Sequence, residues 1–293
     1  MSTVQRLLTK ATPMVTQMRN PAAVESLIDR FVNDGPGKLQ IVSNFDLTLT
    51  CSNVDGIQTP SLAHYLVHQH ARRFHGRGNE LQTSVNDVTS WWRQPLDVFL
   101  SAGITKSHLE GMVWEARIHP RSGLTEMFYR LERMNVPVTI YSSGIMDVIE
   151  IFLRQRLGHL PSNLTIVANK MVFEENHTGK GQVVGYQGTM VDPKNKKSID
   201  LETKVEQSKL KSLRRRDNVI LLGCSPDDVA IHEQFAPPNA QVLKIGFLGS
   251  EFEQLLPKYR ELFDIVLTED THMGISLELV DEVVTGPPSA NWA

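Results

Sequence analysis

Three short polar stretches each follow an apolar run, and their residue types could carry chemistry. The first is Ser43-Asn44-Phe45-Asp46-Leu47-Thr48-Leu49-Thr50, behind Leu39-Gln40-Ile41-Val42. The Asp46 carboxylate could move a proton, or Asp46 and Thr48 could simply form a turn. The second is Ser142-Ser143-Gly144, behind Val136-Pro137-Val138-Thr139-Ile140-Tyr141. It reads as a hydroxylic turn opening a helix, where free amides and the positive dipole end favour an anion such as phosphate; a plain N-cap fits the same residues as well. The third is Gly223-Cys224-Ser225-Pro226-Asp227-Asp228, behind Val219-Ile220-Leu221-Leu222. It sets a thiol beside two carboxylates, which could equally steady their own helix start. Singly the signals are weak; together they gain force if one sheet brings all three to one edge.

The elements needed for that are present. Val242-Leu243-Lys244-Ile245 and Asp264-Ile265-Val266-Leu267 add two more β-rich runs, and helical patterns such as Ile145 to Leu157, closed by Gly158, lie between strands. Alternating strands and helices predict an α/β fold with a parallel sheet covered on both faces, whose ligands gather at the carboxyl ends of the strands. Residues 60–117 break the alternation and read as helix throughout, an inserted helical cap. Asn176 to Ser198 is rich in Gly and Lys, with β-like pieces around Val183 to Val191, and reads as an exposed hairpin or loop. The expected division is an N-terminal helical segment 1–35, a core of 36–59 and 118–275, the cap 60–117 and a C-terminal tail 276–293.

The 293 residues suit a core plus an inserted subdomain. A net charge of -3 gives no electrostatic case for nucleic acid or a membrane surface, and no apolar run nears the roughly 20 residues of a membrane span. The two cysteines, Cys51 and Cys224, fit no zinc spacing and point to a reducing compartment. Met1 to Asn20 carries Arg6, Lys10 and Arg19 without an acid, an amphipathic surface helix or else a mitochondrial presequence. The expectation is a cytoplasmic protein, with mitochondria as the alternative.

Phe45-Asp46-Leu47-Thr48-Leu49 resembles the first Asp-x-Asp-x-Thr motif of the haloacid-dehalogenase superfamily. Leu39 to Leu49 as a whole is similar to the first strand and loop of the cytosolic 5'-nucleotidases of pyrimidine and 7-methylguanylate type. The likeness continues through Tyr141-Ser142-Ser143-Gly144-Ile145, Val219 to Ser225, Leu243 to Leu248 and Asp264 to Leu267, in family order and spacing. The resemblance implies a Rossmann-like haloacid-dehalogenase core that hydrolyses nucleoside 5'-monophosphates with Mg2+. It assigns phosphate binding to Ser142, Ser143 and Lys196, acid–base work to Asp46, and metal binding to the Asp46 carbonyl, to Asp228 and to the position of Cys224.

Two departures bear on activity. The family's attacking aspartate forms an aspartyl-phosphate; here that position is Asn44, a poor nucleophile. The family's last motif opens Gly-Asp-Ser; here it is Gly223-Cys224-Ser225, a thiol where magnesium prefers a hard oxygen. The expectation is impaired turnover and weakened or absent Mg2+, in a chain kept as a nucleotide- or protein-binding module. The alternative is an active phosphatase in which Asp46, Asp227 or Asp228 takes over. His68, His70 and His75 with Arg72, Arg73 and Arg77 read first as a solvated helical face and second as nucleotide contacts. One of Trp91 and Trp92 reads as structural, Arg214-Arg215-Arg216 as the polar end of a helix, and Cys224 as a weak candidate for a reactive thiol.

Overall fold

The computed structural model describes residues 5, 16–51, 53–54, 57–58, 61–70, 91–175, 181–249, 254–268 and 272–285. In chain order its strands are β1 (Thr16–Met18), β2 (Leu39–Ser43), β3 (Asn53–Val54), β4 (Ile57–Gln58), β5 (Val138–Ile145), β6 (Leu164–Asn169), β7 (Met171–Glu175), β8 (Gly181–Tyr186), β9 (Asn218–Gly223), β10 (Gln241–Phe247) and β11 (Ile265–Leu267). Its α-helices are α1 (Pro21–Asp34), α2 (Leu62–Gln69), α3 (Gln94–Ser101), α4 (Lys106–Glu115), α5 (Leu124–Arg133), α6 (Met146–Leu157), α7 (Gln207–Leu213), α8 (Leu256–Leu262) and α9 (Gly274–Thr285).

Every residue of β2 is buried, as the near-continuous apolar run of a central parallel strand requires. Inside the strand, the buried Gln40 donates its side-chain amide to the carbonyls of Leu213 and Arg216 at 3.0 and 2.7 Å. Among the described residues a seven-stranded sheet runs β1-β11-β10-β9-β2-β5-β6. All its pairings are parallel except β1 with β11. From β2 the chain passes to β5 and β6 on one side, then crosses back to β9 on the other. That reversal makes the carboxyl end of β2 a topological switch point. Register sharpens the point: Ser43 lies opposite both Ile140 and Leu222, so the residues following β2 come level with the ends of both neighbours.

All five strands read from the sequence form. Other features differ from that reading, among them the short pair β3–β4. Thr16–Met18 is an edge strand rather than helix, pairing with Ile265–Leu267; of the stretch Met1 to Asn20, residues 1–15 lie outside the described residues apart from helical Gln5. Leu164–Asn169 adds an unread parallel edge. The hairpin β7–β8 begins earlier, at Met171, and ends at Tyr186. Finally, residues 276–285 belong to α9, whose Ile275, Leu279, Val280 and Val283 are buried, so they are part of the packed body and not a tail.

Within residues 60–117 the described elements are α2, a 3-10 turn at Trp91–Arg93, α3 and α4; residues 71–90 lie outside. Ser61 caps α2 by accepting the His64 amide at 3.2 Å. The hairpin ties to these helices: the Val183 amide donates to the Ile104 carbonyl at 2.9 Å, and the Tyr186 hydroxyl to Leu96 at 2.9 Å.

Candidate active site

Asn44 leaves β2 with its backbone still on the ladder, its amide donating to Leu222 at 3.0 Å. Its side chain is buried, and its orientation follows from its neighbours. The Lys196 ammonium can only donate, so Oδ1 faces it at 3.2 Å; the Asp46 carbonyl can only accept, so Nδ2 faces that at 3.0 Å. Nδ2 also approaches Cys224 Sγ at 3.4 Å and Thr48 Oγ1 at 3.5 Å. The loop then turns through Leu47 at φ 60°, a left-handed conformation costly for a side chain other than glycine. Arg121 holds it there. Its buried guanidinium donates to the carbonyls of Thr48 and Leu47, both at 2.8 Å, and lies 4.5 Å over the Phe247 ring.

Asp46 aims its carboxyl at the start of α2, accepting the Leu62 amide on Oδ1 at 2.7 Å. Desolvation pushes its pKa up to about 6, against the opposing pull of that amide and of Lys196. Across from it, a Cβ on Gly144 would stand 3.2 Å from both Asp46 Oδ2 and Ser142 Oγ, so glycine leaves the space between them open. Ser142 is buried and accepts the Gly144 amide at 3.0 Å. Ser143 is half-buried, its carbonyl held by Asn169 Nδ2 at 2.8 Å. These residues still belong to β5, which bulges between Tyr141 and Ile145, and helix α6 starts only at Met146. The expected helix-opening turn and the N-cap reading of Ser142 are therefore both displaced: Ile145 occupies the cap position.

Lys196 is buried and pairs with Asp228 at 2.9 Å. Its backbone is anchored from beneath, the carbonyl accepting from the Tyr141 hydroxyl at 2.6 Å and from Gln234 Nε2. The loop before it is a local construction: Asp192 Oδ1 accepts the amides of Lys194 and Asn195, and Asn195 Oδ1 accepts the Asp192 amide.

At the end of β9, Asp228 uses both of its carboxylate oxygens. Oδ2 accepts the amides of Cys224 and Ser225 at 3.0 and 3.1 Å, capping its own turn, while Oδ1 takes Lys196. This closeness demands Gly223, whose Cβ would lie 2.7 Å from that of Asp228. Asp227 remains exposed, its amide donating to Ser225 Oγ. Cys224 Sγ donates to the Asp46 carbonyl at 3.3 Å, and its own carbonyl accepts from the Tyr259 hydroxyl at 2.6 Å. Burial, then the charge of Asp228, pushes the thiol up to about 12, so it is a neutral donor at physiological pH and a poor nucleophile.

One cleft thus gathers Asn44, Asp46, Ser142, Lys196, Cys224 and Asp228. A hard dication would need anionic oxygens here. The residues present do not fit one: the Asp46 carbonyl already accepts two donors, Asn44 turns N–H toward it, Cys224 is protonated, and Asp228 is engaged by Lys196. Of the basic cluster in the helical segment, His68 is exposed but His70 is buried, with Nε2 3.7 Å from Glu115; Arg72, Arg73, His75 and Arg77 lie outside the described residues. Trp92 packs against the core; Arg214 caps the end of α7 as read, and Arg216 just beyond it donates to the carbonyls of Pro36 and Leu39. Arg121, Gln234 and Tyr259 escaped the sequence reading because their partners lie far along the chain and no motif marks them.

Comparison with known proteins agrees with this frame. Residues 59–284 match the family model described as Pyrimidine 5'-nucleotidase (UMPH-1). The 7-methylguanosine phosphate-specific 5'-nucleotidase A of Xenopus laevis is 28% identical over 276 residues, covering 88% of this chain and 92% of the relative. The 7-methylguanosine phosphate-specific 5'-nucleotidase of Homo sapiens is 28% identical over 294 residues, covering 94% of each. The crystal structure of cytosolic 5'-nucleotidase IIIB bound to cytidine superposes with a TM-score of 0.73 at 25% identity, over 95% of this chain and 96% of that one.

Proposed function

The chain belongs to the pyrimidine 5'-nucleotidase family and has the haloacid-dehalogenase-type fold, and from that premise we propose that it is a nucleotide-binding member whose turnover is impaired. One observation carries the reading: the residue in the attacking position is a neutral amide, locked by Lys196 on one side and by the Asp46 carbonyl on the other. Without an attacking carboxylate there is no aspartyl-phosphate to form. Magnesium is the family's usual ion, and the donor set described above argues against its retention in this copy. Ser142, Ser143 and Lys196 would receive the phosphate of a nucleoside 5'-monophosphate. The base would be a pyrimidine or 7-methylguanine, the classes that the matched family and relatives name. The helical segment 60–117 would close over the cleft, a role supported by the bond from the first residue of α2 to Asp46. A cytoplasmic setting and a protein partner belong to the same proposal.

A second reading, an active phosphatase with a changed site, draws on Asp46, whose pKa of about 6 suits proton transfer near neutrality. Asp228 is already engaged by Lys196, and Asp227 is exposed, with only its backbone amide tied to Ser225 Oγ. Phosphate release from a panel of nucleoside monophosphates with excess magnesium separates the readings. The unmutated chain is expected to stay near background. Asn44→Asp or Cys224→Asp alone is expected to recover little, and the pair far more than the sum, because the groups act as a unit. Robust magnesium-dependent hydrolysis by the unmutated chain, abolished by Asp46→Ala, would establish the active reading instead. Nucleotide retention is checked by calorimetry: no binding of any nucleoside monophosphate at millimolar concentration removes that half of the proposal.

A further inference from the structure

We propose that Asn44 and Cys224, together with Lys196, replace the bridging cation from within the chain, so that the cleft is assembled and held without metal. The inference rests on the reading of this cleft as a modified nucleotidase site, but it concerns how the site is held together and not whether it turns over.

The geometry is that of a staple. Asn44 lies at the end of β2 and Cys224 at the end of β9, yet both donate to one acceptor, the Asp46 carbonyl, at 3.0 and 3.3 Å. The two donors also meet each other, Asn44 Nδ2 to Cys224 Sγ at 3.4 Å. Two convergent donors satisfy both lone pairs of a carbonyl, which is the service a Lewis acid would otherwise perform for it. Lys196 supplies the positive charge between the same two strand ends, reaching Asn44 Oδ1 at 3.2 Å and Asp228 Oδ1 at 2.9 Å. Its side chain is buried, and its backbone carbonyl is pinned by Tyr141 and Gln234, so the ammonium is held in place.

Each substitution alone would break the arrangement. With a carboxylate at position 44 and the thiol kept, the Asp46 carbonyl would face an acceptor at 3.0 Å instead of a donor. A carboxylate at position 224 would crowd Asp228, whose Oδ2 lies 3.8 Å from Sγ. Asn44→Asp and Cys224→Asp together would set four carboxylates, with Asp46 and Asp228, around Lys196, a density that needs a dication to fold stably.

The test uses the full chain and the metal alone. Thermal unfolding is followed in EDTA and in millimolar MgCl2, for the unmutated chain and for the double reversion. The unmutated midpoint is expected to move by less than about 1 °C between the two conditions, since an ion that does not bind the folded state cannot stabilise it. The double reversion is expected to melt lower in EDTA and to rise by about 5 °C or more in magnesium. In parallel, Mn2+ is titrated into the unmutated chain and the free-ion paramagnetic signal is read; it should remain undiminished. Loss of that signal at stoichiometric protein, or a magnesium-dependent rise in the unmutated midpoint, overturns the proposal. So does a double reversion as stable in EDTA as the unmutated chain. Should the double reversion fail to fold, the Mn2+ titration of the unmutated chain decides alone. Phosphate release by an unmutated chain that ignores both ions would defeat the impaired-turnover reading and leave this inference standing; ion binding without phosphate release would do the reverse.

Discussion

Asp46 sits between strand and helix with its carboxyl raised to about 6 by desolvation, from an ordinary value of 3.8. The unfolded chain therefore gives up this proton first, and between about pH 4 and 6 the folded state holds the greater share of it. Stability contributed by this group is thus greatest in acid and falls as pH rises through that window. At neutrality the ionised carboxylate destabilises the fold by up to about 3 kcal/mol, less in practice because part of the residue meets solvent. Asp46→Asn keeps an oxygen for the Leu62 amide and removes the ionisation. Its urea midpoint should exceed that of the unmutated chain near pH 7.5 and converge with it near pH 4. A gap of constant size across that range would mean that the gain comes from something other than charge. At this scale the sequence was informative where residues sit in motifs: Asn44, Asp46, Ser142, Lys196 and Cys224 do meet in one cleft. It was silent on Arg121, Gln234 and Tyr259, which act on backbone carbonyls 73, 38 and 35 positions away, where no local pattern reaches.

The elements that carry these residues are held by a few side chains at strand ends. Arg121 is the main one for the loop after β2, because Leu47 keeps its left-handed backbone only while its carbonyl and that of Thr48 are satisfied. Arg121→Met would preserve much of the volume and remove those donors, leaving the buried Thr48 carbonyl and the half-buried Leu47 carbonyl without them. A loss of about 3 kcal/mol is expected in chemical denaturation, and Arg121→Lys should recover only part of it, since an ammonium cannot reproduce the planar fork. A loss under about 0.5 kcal/mol would show that the loop holds its shape by itself. At the end of β9, Gly223→Ala should displace Asp228 and loosen Lys196, because the added carbon meets Asp228 Cβ at 2.7 Å. The sequence reading located all the long buried strands, for their apolar runs are unambiguous. It missed β1 and β6 because an edge strand is only half covered and its composition is set by one neighbour: among the described residues Thr16–Met18 pairs with Ile265–Leu267 alone, and β6 with β5 alone. The serine turn after Tyr141 was misread for a related reason. Ser-Ser-Gly is equally suited to a bulged strand end and to a helix cap, and only pairing with β6 decides between them.

Across the whole molecule, the cleft exists because the chain reverses its order around β2, and that reversal must be supported far from the cleft. On one face α9 packs against α5 and α1, and Arg130 pairs with Asp281 across α5 and α9. The buried side chains of these helices, Phe31, Met127, Leu131 and Leu279 among them, belong to the same apolar cluster as β2 and β5. The sequence reading assigned residues 276–293 to a tail because a short helix after the last strand carries no motif, although its apolar spacing at Ile275, Leu279, Val280 and Val283 is helical. If the cluster is continuous, a cavity in α9 weakens the entire core and not a detachable appendage. Leu279→Ala should therefore lower global stability by about 2–5 kcal/mol, with the change in circular dichroism and in intrinsic fluorescence remaining coincident along the urea transition. Bound nucleoside monophosphate should restore part of the loss by mass action, without any change in affinity of the folded fraction. Were α9 peripheral, the same substitution would leave the main transition in place and add only a small early step. Two separated transitions would thus assign α9 to a unit of its own, whereas one shifted transition ties the C-terminal helix to the strands that build the cleft.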